Sequence, residues 1–186
     1  FTPEVPASPA PGAFEYVRQN QHRHVAAHTV ALPGYPQELA DHRFVEGVED
    51  GGARHLVRDR VLPDIDLPTT GGHSVNFRRL DGWTILFVYP WTGRPGVDNP
   101  PDWDDIPGAH GSTPEAEGFR NLHRTFVEVG SRVYGLSAQT TEWQHEFATR
   151  LGLPFDLVSD AEGKFQQALS LPTFETGGVT YLMRLT

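Results

Sequence analysis

WTILFVYP, residues 83–90, is an apolar run closed by a proline. Such a run predicts a fully buried central strand of a mainly parallel sheet, and the proline ends it because it cannot donate to a ladder. The segments downstream can be read in the same way. Residues 91–111 form a long loop dense in Pro, Gly, Asp and Trp, the kind that in compact domains is functional or mobile. The spacing of Phe119, Leu122, Phe126 and Val129 predicts a helix over 113–129, closed by Gly130. SRVYGLSA then reads as a strand, TTEWQHEFATRLG as a helix ended by glycine, and FDLVSD as a strand. AEGKFQQALS reads as a short helix and VTYLMRLT as a final strand. Upstream, VLPDIDLPTTGGHSVNF predicts two short strands around a Thr-Gly-Gly turn. Strands alternating with helices define an α/β fold with helices on both faces of the sheet.

The first sixty residues are organised differently. Residues 1–13 are rich in Pro and Ala and predict an extended arm; Phe14, Val17, Val25 and Val30 suggest a helix over 14–32, stopped by Pro33 and Gly34. Residues 38–60 are polar and predict only a short helix or loops. The expected division is therefore an extension over 1–60 and a domain over 61–186.

The chain of 186 residues has 38% hydrophobic residues, enough for a core, and a formal net charge of −9. That balance, with a single lysine at Lys164, excludes a broad nucleic-acid surface, which needs clustered cations. No apolar run approaches the roughly 18 residues needed to cross a bilayer. There is no cysteine, so disulfides, cysteine-ligated zinc and thiol chemistry are closed to the chain. It opens at Phe1 without a signal peptide, which reads as a start removed or not included.

The blocks LPDIDLPTTGG, ILFVYPWTGRPG, GSTPEAEGFRNLHRTF, VYGLSAQTTEWQHEFATRLGLPFDLVSDAEG and LMRLT come in an order that resembles the peroxiredoxins. The likeness is to the AhpC/TSA family, bacterioferritin-comigratory or PrxQ-like branch, over about residues 61–186. It implies a thioredoxin-like sheet flanked by helices, a bacterial cytoplasmic setting, homodimers, and no cofactor or metal. In that family a cysteine at a helix start, preceded by a threonine three residues earlier, attacks a peroxide. A late arginine completes the site. The helix terminus and the arginine stabilise the thiolate, which becomes a sulfenic acid that a second thiol reduces.

By that resemblance Pro90 is the strand-ending proline, Ser112 stands where the peroxidatic cysteine belongs, and Ala109 holds the threonine position. Arg184 is the arginine, and Glu117 stands where many relatives carry the resolving cysteine. His110, Gly111 and Thr113 complete the expected ligand-binding helix start. An alcohol cannot replace the thiolate: its pKa lies many units higher, and a helix terminus supplies only about 0.3–2 kcal/mol. Either a deliberate Cys-to-Ser change or natural loss explains Ser112; Ala109 favours natural loss, since a trapping substitution would not also remove the threonine. Relatives continue past the position of VTYLMRLT with another strand and a helix. Residues 174–186 are accordingly expected to pair with the sheet, with a C-terminal portion supplied elsewhere or cut away.

Other readings of the same residues stay open. Ser112 could be an acyl-transfer nucleophile helped by His110 or His123, though no Gly-x-Ser-x-Gly elbow surrounds it. Ser112 with Glu115 also has the spacing of a helix capping box. His24 and His28 could share a metal on a helix, and DWDD, residues 102–105, could hold a hard cation or simply form a turn. The loop tryptophans, Trp91 and Trp103, either close over a small molecule or plug the core. Three functions are compatible with these residues: a repurposed scaffold that binds or transforms a small oxygenated molecule, a peroxide reductase inactivated at Ser112, or a non-catalytic partner protein. The first makes a small molecule the expected ligand.

Overall fold

The computed structural model describes residues 52–57 and 60–186, within a compact unit spanning Gly47–Thr186. The readings for residues 1–50, His24 and His28 among them, lie outside the described residues. Two-residue strands β1 (Leu67–Pro68) and β2 (Ser74–Val75) flank the expected Thr-Gly-Gly turn as an antiparallel pair. A 3-10 turn at Phe77–Arg79 follows, its start capped by the Asn76 side chain, which accepts from the Arg78 N–H. The chain then enters β3 (Trp83–Val88), helix α1 (Ser112–Glu128), β4 (Ser131–Ser137), α2 (Thr141–Leu151), β5 (Leu157–Ser159) and α3 (Lys164–Leu169). It closes with the antiparallel pair β6 (Thr173–Thr176) and β7 (Val179–Leu182).

The three middle strands are parallel and ordered β3-β4-β5, in register from Trp83 opposite Ser131 to Val88 opposite Leu136 and from Gly135 opposite Leu157 to Ser137 opposite Ser159. Alternation along them splits the core. Phe87, Val133 and Leu157 face one layer with Ala116, Phe147 and Phe155, covered by α1 and α2. Val88, Leu136 and Val158 face the other with Phe77, Phe165 and Leu169, covered by α3 and the β1–β2 turn. The contacts reach back before residue 61: His55 Nε2 lies 2.7 Å from the Leu169 carbonyl, and Leu56 packs on the second layer.

Two expectations need correction. β4, not β3, is the strand bonded on both sides, because the only described segment on the outer edge of β3 meets it at Val88. Burial grows along β3, from an exposed Trp83 at 74% to buried Phe87 and Val88. The C-terminal segment, secondly, pairs mainly with itself. Residues 173–182 form their own hairpin, and the sheet is met by one antiparallel bridge, with Val88 N donating to Leu185 O at 2.7 Å and Leu185 N returning to Val88 O at 3.2 Å.

Helix termini follow local chemistry. Thr140 caps α2 by accepting from Trp143 N, and Gly152 closes it at φ 61°, a left-handed conformation that suits glycine. α3 has a glycine at its N-cap, so the buried Asp160 reaches across instead, accepting from Phe165 N at 3.0 Å and Gln166 N at 2.7 Å. No helix of the described residues is long and apolar enough to cross a membrane.

Gly135 lies where β4 passes closest to its neighbours. A Cβ there would sit 2.5 Å from Phe87 Cζ and 2.7 Å from Leu157 Cδ2. Gly135→Ala should therefore lower the unfolding free energy by about 1–3 kcal/mol through overpacking. A urea midpoint equal to that of the parent chain would contradict this packing.

Candidate functional site

The proline-terminated end of β3 delivers the chain to the site. Pro90 is buried and ends the ladder, and Thr92 is then held from every side. Its N–H and hydroxyl donate to Gln139 Oε1 at 3.0 and 3.1 Å, and its carbonyl accepts from Gln139 Nε2 at 3.1 Å and Trp143 Nε1 at 2.6 Å. With Thr92 immobile, Trp91 is set in ring contact with Trp103 and Trp143, at centroid distances of 5.5 and 5.9 Å. The two readings of the loop tryptophans divide between them. Trp103 is the plug, 3% exposed and packed on Tyr181, Phe174 and Ala109, whereas Trp91 stays half-buried at the surface. DWDD forms the turn: Trp103–Asp105 is a 3-10 helix entered through Asp102 in a left-handed conformation, φ 56°. Among the described residues no three His, Asp or Glu side chains converge as a metal site would require.

The helix start differs from the capping reading. Gly111 is the N-cap, at φ 106°, and Ser112 is the first helical residue. Its hydroxyl does not cap the helix; it accepts a hydrogen bond from Arg184 Nη2 at 3.2 Å. Glu115 does not return to the cap either. It forms an ion pair with Arg184 Nη1, while Nη2 also donates to the carbonyls of His110 at 3.0 Å and Gly108 at 3.3 Å. One guanidinium thus ties the loop, the helix start and the C-terminal segment together.

Glu115 was not among the expected site residues, and Glu117 was. Glu117 instead turns along the helix towards Arg120, 3.8 Å away, out of reach of this cluster. Three residues from Ser112 is nearly one helical turn, so the Ser-x-x-Glu spacing that suggested a cap also stacks Glu115 above Ser112, facing an incoming arginine. Burial pushes the Glu115 carboxyl up to about 6, outweighing the opposing charge and hydrogen bond of Arg184. Burial likewise raises the Tyr89 phenol, whose hydroxyl lies beside Ser137 and Gln144 without good hydrogen-bond geometry to either.

An open cleft of about 270 Å³ lies over this helix start, lined by Trp91, Thr92, Gly93, Asn99, Trp103 and residues 109–114. Ala109, His110, Gly111, Ser112 and Thr113 are brought together there as expected, while Pro90, Glu117 and Arg184 do not line it. Arg184 stands directly behind Gly111 and Ser112, within 3.7 Å of where a Gly111 Cβ would be. Neither histidine serves Ser112. The exposed His110 ring pairs with Asp104 at 2.7 Å, and His123 rests against Phe155. The hydroxyl's partner is a guanidinium, which only donates and cannot take its proton. The acyl-transfer arrangement is therefore not assembled.

A strand-end proline, a helix start and a late arginine, set on a parallel sheet with helices on both faces, define a thioredoxin-like architecture of the peroxiredoxin kind. Comparison with known proteins agrees. The AhpC/TSA family model matches residues 107–181. Peroxiredoxin Bcp of Bacillus subtilis is 28% identical over 110 residues, covering 59% of this chain and 60% of that protein. Peroxiredoxin bcp1 of Schizosaccharomyces pombe is 28% identical over 111 residues, covering 59% of this chain and 49% of that one. The chain thus spans only about half to three fifths of these relatives' lengths. Among solved structures, BcpB of Mycobacterium tuberculosis aligns with TM-score 0.51 at 25% identity, over 67% of this chain and 73% of that one. A cysteine-to-serine mutant of Xylella fastidiosa PrxQ aligns with TM-score 0.52 at 22% identity, over 69% of this chain and 72% of that one. Residues 107–181 thus carry the AhpC/TSA match, the chain is similar in sequence and fold to Bcp/PrxQ peroxiredoxins, and it contains no cysteine.

The raised Glu115 value has a stability consequence. Its folded value of about 6 lies above the ordinary 4.5, so the folded protein binds the extra proton first and gains stability as pH falls from 6 to 4.5. The stability difference between the parent chain and Glu115→Gln, measured by urea unfolding, should therefore shift in favour of the parent as pH is lowered across that window. A difference that stays constant would contradict the burial of this carboxyl.

Proposed function

We propose that this protein is a peroxiredoxin homologue whose scaffold now binds a small oxygenated molecule in the cleft over Ser112. The observation that carries the reading is the cleft itself, in which the half-buried Trp91 borders the polar helix start. At about 270 Å³ it exceeds the ~150 Å³ that accommodates a benzene ring. The helix's first backbone hydrogen bond is made by Glu115 N to Gly111 O, so the N–H groups of Ser112 and Thr113 come before the ladder and suit an acceptor oxygen. Pro114 brings no N–H of its own. Ala109 packs its methyl against the apolar cluster of Trp103 and Tyr181, so this loop residue brings no polar side chain to the cleft.

A direct test titrates benzyl alcohol while following tryptophan fluorescence. Saturable binding with a Kd of order millimolar is expected for so small a probe, weakened at least about threefold in Trp91→Ala. No saturable change would overturn the reading.

One observation favours a second reading, a peroxide reductase disarmed by serine: Arg184 donates to Ser112 Oγ at 3.2 Å, the contact a thiolate there would require. Ser112→Cys, assayed with tert-butyl hydroperoxide and dithiothreitol, separates the two. The ligand-binding reading expects turnover no faster than that of free dithiothreitol, because the threonine position holds Ala109. Sustained enzymatic turnover would establish the disarmed reductase instead.

A further inference from the structure

Resting on the cleft as a ligand site, we propose that Glu115 sets its charge selectivity, closing it to anions and reserving it for uncharged oxygen-bearing ligands. A guanidinium behind a helix start would ordinarily make such a cleft an anion site, since both the arginine and the free N–H groups attract negative charge. Here the arginine is already answered from inside the protein. Glu115 holds Nη1 of Arg184, and Nη2 is shared among the His110 carbonyl, the Gly108 carbonyl and Ser112 Oγ. The pair is largely sequestered, with 17% of the Glu115 and 24% of the Arg184 side chain exposed, so solvent screens it only weakly. An anion placed over Ser112 would meet a neutralised cation with a carboxylate behind it, and like charges at a shared site cost binding energy.

The groups around Glu115 point the same way. Arg184 faces it from the C-terminal segment, and Tyr89 at the end of β3 senses its charge. On the loop side, His110 carries Asp104 at 2.7 Å, adding negative charge at the mouth. On α1 itself Glu117 is turned to Arg120. Among the described residues, Glu115 is the carboxylate that meets the Arg184 guanidinium itself. The carboxyl's value near 6 makes the same switch reachable by mild acid, which would release the arginine's charge without a mutation.

The test uses two probes with the same ring, benzyl alcohol and benzenesulfonate, the latter ionised throughout the range. In the parent chain at about pH 7.5, benzyl alcohol is expected to bind about tenfold tighter than benzenesulfonate. Glu115→Gln keeps the shape and a hydrogen-bond acceptor for Arg184. It should tighten benzenesulfonate at least about threefold and leave benzyl alcohol within about twofold. In the parent chain, lowering the pH to about 5 should tighten benzenesulfonate by a larger factor than in Glu115→Gln, where only the cleft-lining His110, common to both, gains charge. The parent's own pH series keeps the test valid should the variant fold poorly. Benzyl alcohol binding with a benzenesulfonate affinity indifferent to both pH and substitution would overturn the assignment to Glu115 alone. If neither probe binds either form, the ligand site itself falls and this selectivity with it.

Discussion

Arg184 comes from a segment that meets the sheet at a single bridge, yet its guanidinium binds a helix residue, a serine hydroxyl and two loop carbonyls. That convergence orders the site. The loop before α1 packs Trp103 and Ala109 on the terminal hairpin, and its residues 106–111 are shaped by turns and by the left-handed Gly108 and Gly111. Fastening the carbonyls at 108 and 110 to one rigid, planar donor fixes the approach to the helix. The same donor brings a buried carboxylate into a place where it would otherwise be costly. Ser112 is a passive member of this arrangement, an acceptor at the first turn of α1.

The remainder of the cleft has a separate anchor. Thr92, bonded through every polar atom it owns, takes its hold from Gln139 and Trp143, which follow β4 and open α2. Trp103 takes its hold from the terminal hairpin through Tyr181 and Phe174. The long loop is therefore pinned at both ends by different layers of the fold. It is a built wall with a partly exposed tryptophan, and Trp91 is the part that a ligand could touch.

The fold was legible because periodicity reports burial. Phe87 and Val88, Val133 and Leu136, and Leu157 and Val158 face opposite layers, which only strands covered on both sides require. The glycine endings at Gly130 and Gly152 were legible for the same local reason. What the residue pattern could not reveal was partnership across the chain. Ser112 and Glu115 have the spacing of a cap, and nothing local says that an arginine about seventy residues later takes both. Glu117 comes two positions on, but two helical residues are roughly 200° apart, so it points elsewhere. WTILFVYP looked uniformly buried because its composition is apolar, whereas burial depends on what packs over each position. Trp83 shows the difference.

Three of the four tryptophans, Trp91, Trp103 and Trp143, stand in consecutive ring contact, while Trp83 is isolated and open to solvent. Indoles this close do not absorb independently. Their transition dipoles couple, and because the Trp91 and Trp103 rings are inclined at 67° rather than parallel, that coupling contributes to circular dichroism. The wall of the cleft therefore carries its own chiral optical signature, set by the geometry of the triad and silent to the lone indole at the far end of the sheet.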